Sequence, residues 1–170
     1  MAKGGRALKG HEKHFESALA GAICREVGAR DFYGKLSEAI KNAEGKEKFH
    51  RLSADEEGHR AKLESWYRKL FDAPFVADPK MLKESEIRGV TVNDLTTALA
   101  AIGIAIKAEM RAESFYAAEA AAASVPDVRT LFENLAKEEH GHYELLEAER
   151  SSITGGFYWF DIDSANFLED

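Results

Sequence analysis

The sequence predicts an all-α fold, a four-helix bundle of two antiparallel hairpins joined by a long crossover. Three observations lead there. Apolar residues recur in alternating steps of three and four, the period of helices that bury one face. Proline occurs only three times in 170 residues, while 45% of the chain is apolar and 31% charged, a balance that suits one core wrapped by solvated helices. The chain also repeats itself once, at a constant offset of 83 (Glu26 to Glu109, Glu56 to Glu139).

The elements follow in order. Phe15, Leu19, Ala22, Ala29, Tyr33, Leu36 and Ile40 make the buried stripe of a first helix. Phe49, Leu52, Leu63, Trp66 and Leu70 make that of a second. The short stretch from Asn42 to Gly45 between them forces an antiparallel hairpin. From about Phe71 to Val90 runs the crossover, with Pro74 and Pro79 and a short helix expected around Lys80 to Ile87. Thr91-Val92-Asn93-Asp94 reads as a capping box that opens a third helix through Leu95, Leu99, Ile102 and Ile106 toward Ala123. Ser124-Val125-Pro126-Asp127 is a similar cap, with proline tolerated in the first turn, and the fourth helix continues through Phe132, Leu135 and Leu146 to about Arg150. Two hairpins and one long crossover are the ferritin-like arrangement. The bundle therefore spans residues 1–150. Residues 151–170 form a tail whose Phe157-Tyr158-Trp159-Phe160 is expected to pack on the bundle or on a dimer mate.

Charge and cysteine content exclude several functions. A net charge of −7 argues against nucleic acid as a partner, which needs clustered Lys and Arg. One cysteine, Cys24, excludes an internal disulfide framework and cysteine-based zinc or iron–sulfur sites. Cys24 itself reads as a small buried residue. No apolar run follows the basic start to make a secretory signal, and no stretch is long enough to span a bilayer. A cytoplasmic protein with no membrane partner is the expectation.

Six ionisable residues fall on the buried stripes. The first helix steps 15, 19, 22, 26, 29, 33, so Glu26 is inside. The second places Glu56 and His59 inside, the fourth Glu139 and His142, and Glu109 follows Leu99, Ile102 and Ile106 in the same way. Four carboxylates in an apolar interior repel one another, and each unpaired one costs several kcal/mol or takes up a proton. Two divalent cations answer four negative charges. One glutamate from each of two helices, plus Glu-x-x-His from each of the other two, is the ligand set of di-iron and di-manganese bundles. Carboxylate and imidazole together suit iron, with manganese as the alternative.

A single Glu-x-x-His is weak evidence, and a third one, Glu47 to His50, lies about half a turn away from the second-helix stripe, on the solvated face. His140 lies about 200° from His142 and points outward; His11 and His14 have no mirrored partner. The strength is in two Glu-x-x-His motifs in register with two upstream glutamates. Tyr33 and Tyr116, two turns past Glu26 and Glu109, are candidate catalytic residues that hydrogen-bond a ligand carboxylate or pass an electron or proton; core packing is the competing reading. Asp55 and Glu138 are placed to accept a bond from the outer nitrogen of the histidine in the other half. Glu113 is either an extra carboxylate or half of a surface ion pair.

Glu26, Glu56 with His59, Glu109, Glu139 with His142, and the Phe-Tyr steps at 32–33 and 115–116 resemble the rubrerythrin family. The resemblance covers most of residues 11–150. It implies a non-haem di-iron centre that cycles between ferrous and ferric states and reduces hydrogen peroxide or oxidises ferrous iron, in a homodimer, in some members with exchanged helices. Two departures stand out. The four-cysteine rubredoxin module of many members has no counterpart in a chain with Cys24 alone, so an external electron donor is implied. The further ligand glutamate of many members is Ala112 here, which implies a more symmetric site of six protein ligands. A ferroxidase and a manganese catalase are the alternative activities.

Overall fold

The computed structural model describes residues 12–40, 43–85, 87 and 98–154, and among these every regular element is a helix. The helices are α1 (Glu12–Ala39), α2 (Ala43–Phe71), α3 (Pro79–Ser85), α4 (Ala98–Ala122) and α5 (Pro126–Thr154). α1 packs along α2 and α4 along α5, the two expected hairpins, while α3 lies against α1. The four long helices form the ferritin-like bundle.

Helix ends follow local chemistry. Pro126 occupies the first position of α5, where its missing N–H costs no hydrogen bond, and the Arg129 N–H reaches Val125 O at 3.0 Å. Asp78 caps α3: its Oδ1 accepts the Lys80 N–H at 2.8 Å, and Pro79 opens the helix. α2 ends where Asp72 takes a left-handed φ of 51° and its N–H bonds Arg68 O at 3.0 Å. Aspartate is one of the few non-glycine residues that enter this region readily.

Some boundaries differ from the sequence expectation. Ala43, Glu44 and Gly45 belong to the first turn of α2, not to the turn before it, and Gly45 is buried there. The crossover helix is Pro79–Ser85, set by its Asp78 cap, and α5 runs on to Thr154. Leu99, assigned to the buried stripe of the third helix, is 39% exposed; the inward stripe starts at Ala101 and Ile102. The capping box at 91–94, Leu95 and the aromatic tail at 157–160 lie outside the described residues.

Two apolar clusters fill the bundle. One gathers Phe15, Leu19, Ile23, Leu63, Tyr116, Phe132 and Leu135. The other gathers Phe32, Tyr33, Leu36, Phe49, Leu52, Ile102, Ile106 and Leu146. Each fully buried Leu, Ile or Phe contributes about 1.5–3 kcal/mol of hydrophobic stabilisation. The repeat is visible here too, since Tyr33 stacks on Phe49 and Tyr116 on Phe132, both at 6.0 Å between ring centroids. The ionisable residues occupy the layer between these clusters, where the hydrophobic effect holds the helices together around groups that by themselves oppose burial.

Candidate metal centre

Glu26, Glu56, Glu109 and Glu139 are each no more than 2% exposed, and His59 is 3% exposed. His142 sits slightly nearer the edge, with 12% of its side chain exposed. All the sequence-assigned ligands converge. Two overlapping groups of four form, Glu26–Glu56–His59–Glu139 and Glu56–Glu109–Glu139–His142, with the ligand atoms in each group within 4.8 Å of one another. Glu56 and Glu139 belong to both. Glu26 and His59 complete one group, Glu109 and His142 the other.

The histidines present Nδ1 to this interior. His59 Nδ1 lies 3.4 Å from Glu26 Oε2, 3.2 Å from Glu56 Oε2 and 3.0 Å from Glu139 Oε1. His142 Nδ1 lies 3.3 Å from Glu56 Oε1, 3.5 Å from Glu139 Oε2 and 3.7 Å from Glu109 Oε2. The rings stack with centroids 5.6 Å apart. The outer nitrogens face the carboxylates expected from sequence: His59 Nε2 meets Glu138 Oε2 at 2.7 Å, and His142 Nε2 stands 3.7 Å from Asp55 Oδ2. The first contact holds a proton on Nε2, so that Nδ1 is the nitrogen a metal would take. The second is too long for a hydrogen bond.

The tyrosines cross between hairpins. Tyr33 Oη donates to Glu109 Oε1, and Tyr116 Oη donates to Glu26 Oε1. Each hairpin's tyrosine thus restrains the glutamate of the other hairpin. One oxygen of that glutamate is held while Oε2 faces the histidine.

Electrostatics divide the four carboxyls into two kinds. Burial drives Glu26 well above the ordinary carboxylate range and Glu109 up to about 8, helped by the neighbouring acids Glu56 and Glu139. Burial pushes Glu56 and Glu139 the same way, but the imidazoles of His142 and His59 close beside them overcome it and hold both below the ordinary range. Burial would also lower the histidines. Their carboxylate neighbours win, raising His59 strongly and His142 to about 12. Without metal, these shifts work toward charge balance in the layer: burial favours the neutral forms of Glu26 and Glu109, while the imidazoles and the carboxylates of Glu56 and Glu139 favour each other's charged forms.

These residues fit divalent cations. Glu56 Oε1, Glu139 Oε1 and His142 Nδ1 are buried without a hydrogen-bond partner, the state expected of atoms that face a metal position. The donor set is all carboxylate and imidazole, suited to iron or manganese.

The remaining candidates sort themselves. Glu47 and His50 are exposed, and Glu47 pairs with Arg51 at 3.1 Å. His14 pairs with Glu119 at 3.2 Å, and His11 lies outside the described residues. Glu113 is not aimed inward: it pairs with His140 at 3.2 Å, which settles it as a surface group. Arg30, one turn past Glu26, turns outward to Asp31 and Glu57. Cys24 is buried.

Sequence reading missed a cleft of about 660 Å³ between α1, α3 and α4. Glu26, Glu56, Glu109 and Glu139 line it, with Ala29, Ala108, Ala112, Ile104, Met81 and Ile87 among the apolar walls and Arg25, Lys107 and Arg111 as its cations. The signal was present: Gly21-Arg25-Ala29 and Ile104-Ala108-Ala112 are i, i+4, i+8 stripes related by the same offset of 83.

A four-helix bundle with a buried layer of four glutamates and two histidines, in which two carboxylates are shared, defines a ferritin-like carboxylate metalloprotein. The Rubrerythrin family model matches residues 17–150, and the chain belongs to that family. A solved structure, a hypothetical protein from Pyrococcus furiosus, is similar at 31% identity and a TM-score of 0.72, covering 86% of this chain and 94% of that one. No curated protein matches. Membership of the family implies a di-iron ferritin-like protein with oxidoreductase chemistry in general. No described helix is long and apolar enough to cross a membrane.

Proposed function

We propose that this protein is a di-iron peroxidase that reduces hydrogen peroxide with electrons from two ferrous ions. The observation that carries the reading is the pair of four-ligand groups sharing Glu56 and Glu139. Glu26 and His59 would complete one metal position, and Glu109 and His142 the other. Bound there, a ferrous pair supplies the two electrons needed to cleave the oxygen–oxygen bond, with two protons consumed and two waters formed.

The protein's own part is positioning and proton control. Glu138 holds the His59 Nε2 proton, so Nδ1 stays a donor to metal. Tyr33 and Tyr116 hold one oxygen of Glu109 and Glu26 and keep the terminal carboxylates from rotating. Burial pushes the Tyr33 hydroxyl well above its ordinary range, so it stays a proton donor at neutral pH. The apolar clusters shield the layer from water along the bundle on both sides.

A ferroxidase is the second reading, favoured by the carboxylates that reach the cleft floor and attract cations. The mouth opposes it, because Arg25, Lys107 and Arg111 repel an approaching ferrous ion. Manganese in place of iron would give a catalase-like enzyme on the same ligands. An external electron donor returns the centre to the ferrous state. The homodimer implied by the family, with or without exchanged helices, is part of the same proposal and is tested by sedimentation.

Anaerobic protein loaded with ferrous iron is titrated with hydrogen peroxide and, separately, with dioxygen. One peroxide should oxidise two ferrous ions, faster than dioxygen does, with the ferric ions retained. Faster oxidation by dioxygen, with ferric iron released over repeated rounds, would overturn the peroxidase in favour of the ferroxidase.

A further inference from the structure

Hydrogen peroxide does not need the cleft described above. The cleft measures about 660 Å³, whereas a water-sized molecule occupies about 30 Å³ of liquid. Its shape follows from the repeat. Gly21, Arg25 and Ala29 on α1 face Ile104, Ala108 and Ala112 on α4, and the small residues at these positions leave the gap unfilled. Met81 and Ile87 close one side with further apolar surface. The floor is the carboxylate layer. A molecule that reached it would pass along a mostly hydrocarbon wall.

The mouth carries a charge opposite to that of the protein. Arg25, Lys107 and Arg111 line it, all exposed, in a chain of net charge −7. None of the three is ion-paired among the described residues. Arg25 is instead steadied by the Phe115 ring, 4.3 Å from its guanidinium carbon. The remaining charged group at the mouth, Glu84, has Lys80 at 3.9 Å. The repeat-mate of Arg25 is Ala108, so this charge breaks the internal symmetry on one side of the cleft.

We propose that the cleft binds an organic hydroperoxide that carries a carboxylate, with the hydroperoxide at the floor, the hydrocarbon along the walls and the carboxylate at Arg25, Lys107 and Arg111. This rests on the redox reading above and names its substrate class. The reaction balances: the oxygen–oxygen bond of ROOH breaks, two ferrous ions give one electron each, two protons are taken up, and ROH and water leave. An external electron donor restores the ferrous pair.

The test has a binding arm and a turnover arm. Decanoate, below its micelle concentration, is titrated into the metal-free full-length protein by calorimetry, for wild type and for Arg25→Gln/Lys107→Gln/Arg111→Gln. The variant positions are exposed, and circular dichroism checks the fold. Decanoate should bind wild type and bind the triple variant at least tenfold more weakly. In the iron-loaded protein, the ratio of kcat/KM for linoleate hydroperoxide to that for its methyl ester should fall at least tenfold in the triple variant, mainly through KM. Equal decanoate binding by both proteins, or none by wild type, would overturn the substrate class even if hydrogen peroxide is reduced. Rim-dependent decanoate binding without reduction of any peroxide would overturn the hydroperoxide and locate the failure in the underlying redox reading.

Discussion

On one side of the site His59 holds Glu138 at 2.7 Å, and Lys62 grips the same carboxylate at 2.7 and 3.0 Å. On the other side His142 stands 3.7 Å from Asp55, and the residue that matches Lys62 is Leu145, 40% exposed. The ligand layer itself obeys the repeat. Each hairpin gives one upstream glutamate, one Glu-x-x-His and one tyrosine that crosses to the other hairpin's glutamate. The two halves therefore differ outside the layer, not inside it. Side chains of the buried layer are constrained by charge balance in an interior of low exposure. Those one step further out face water, where an ion pair is worth only about 0–1 kcal/mol and substitutions are cheap.

The largest expected effect comes from breaking what the halves share. Glu56→Ala or Glu139→Ala removes a ligand from both groups, so both metals should be lost at micromolar concentration. Glu26→Ala should empty the His59 half first and Glu109→Ala the His142 half. The fold should survive, because the apolar clusters on either side of the layer hold the helices together. Metal analysis with circular dichroism checks this, and Glu47→Ala/His50→Ala, with the same spacing on the exposed face, is the control. Retention of one tightly bound metal in Glu56→Ala would show that the carboxylate is not shared.

The next effect is pH dependence, and its sign follows from the shifts. Glu109, raised to about 8, and His142, raised to about 12, are both protonated at pH 7 in the metal-free protein. Metal must displace those protons, so affinity falls as pH falls. Each displaced proton contributes about a factor of ten per pH unit, so the His142 half should weaken about a hundredfold from pH 7 to pH 6. Calorimetry in buffers of different ionisation enthalpy counts the protons released. A flat profile across this range would contradict the proton-balanced layer.

The convergence of the six candidate ligand positions was legible in the sequence because two independent periodicities agreed on them, the helical stripe and the offset of 83. Glu47–His50 satisfied the motif but not the stripe, and its exposure follows. The tyrosine contacts were half legible: the stripe put Tyr33 and Tyr116 inside, but that each bonds the opposite hairpin's glutamate depends on how far apart the hairpins sit. Lys62 and the cleft depend on the same distance. Stripe reading also placed Leu99 inward, since periodicity does not say where along a helix the neighbouring hairpin begins to cover it.

The outer asymmetry offers two smaller tests. Glu138→Ala should weaken metal binding in the His59 half by about 10–100-fold, the usual cost of removing a ligand histidine's partner. Asp55→Ala should cost less than tenfold in the His142 half, because its contact is already too long for a hydrogen bond. Leu145→Lys would restore the missing cation beside Asp55, with a gain of up to about fivefold, the range of an exposed ion pair. Chelator competition with each variant measures all three. Equal losses for Glu138→Ala and Asp55→Ala would mean that the halves are supported alike.

Metal stoichiometry tests the central claim most directly. Full-length protein is loaded anaerobically with excess ferrous iron, desalted and measured for iron per chain. Two overlapping groups that share Glu56 and Glu139 require two ions to balance four carboxylates, so the account predicts two iron ions per chain, both retained. A reproducible value of one per chain, with the protein fully folded, would contradict it.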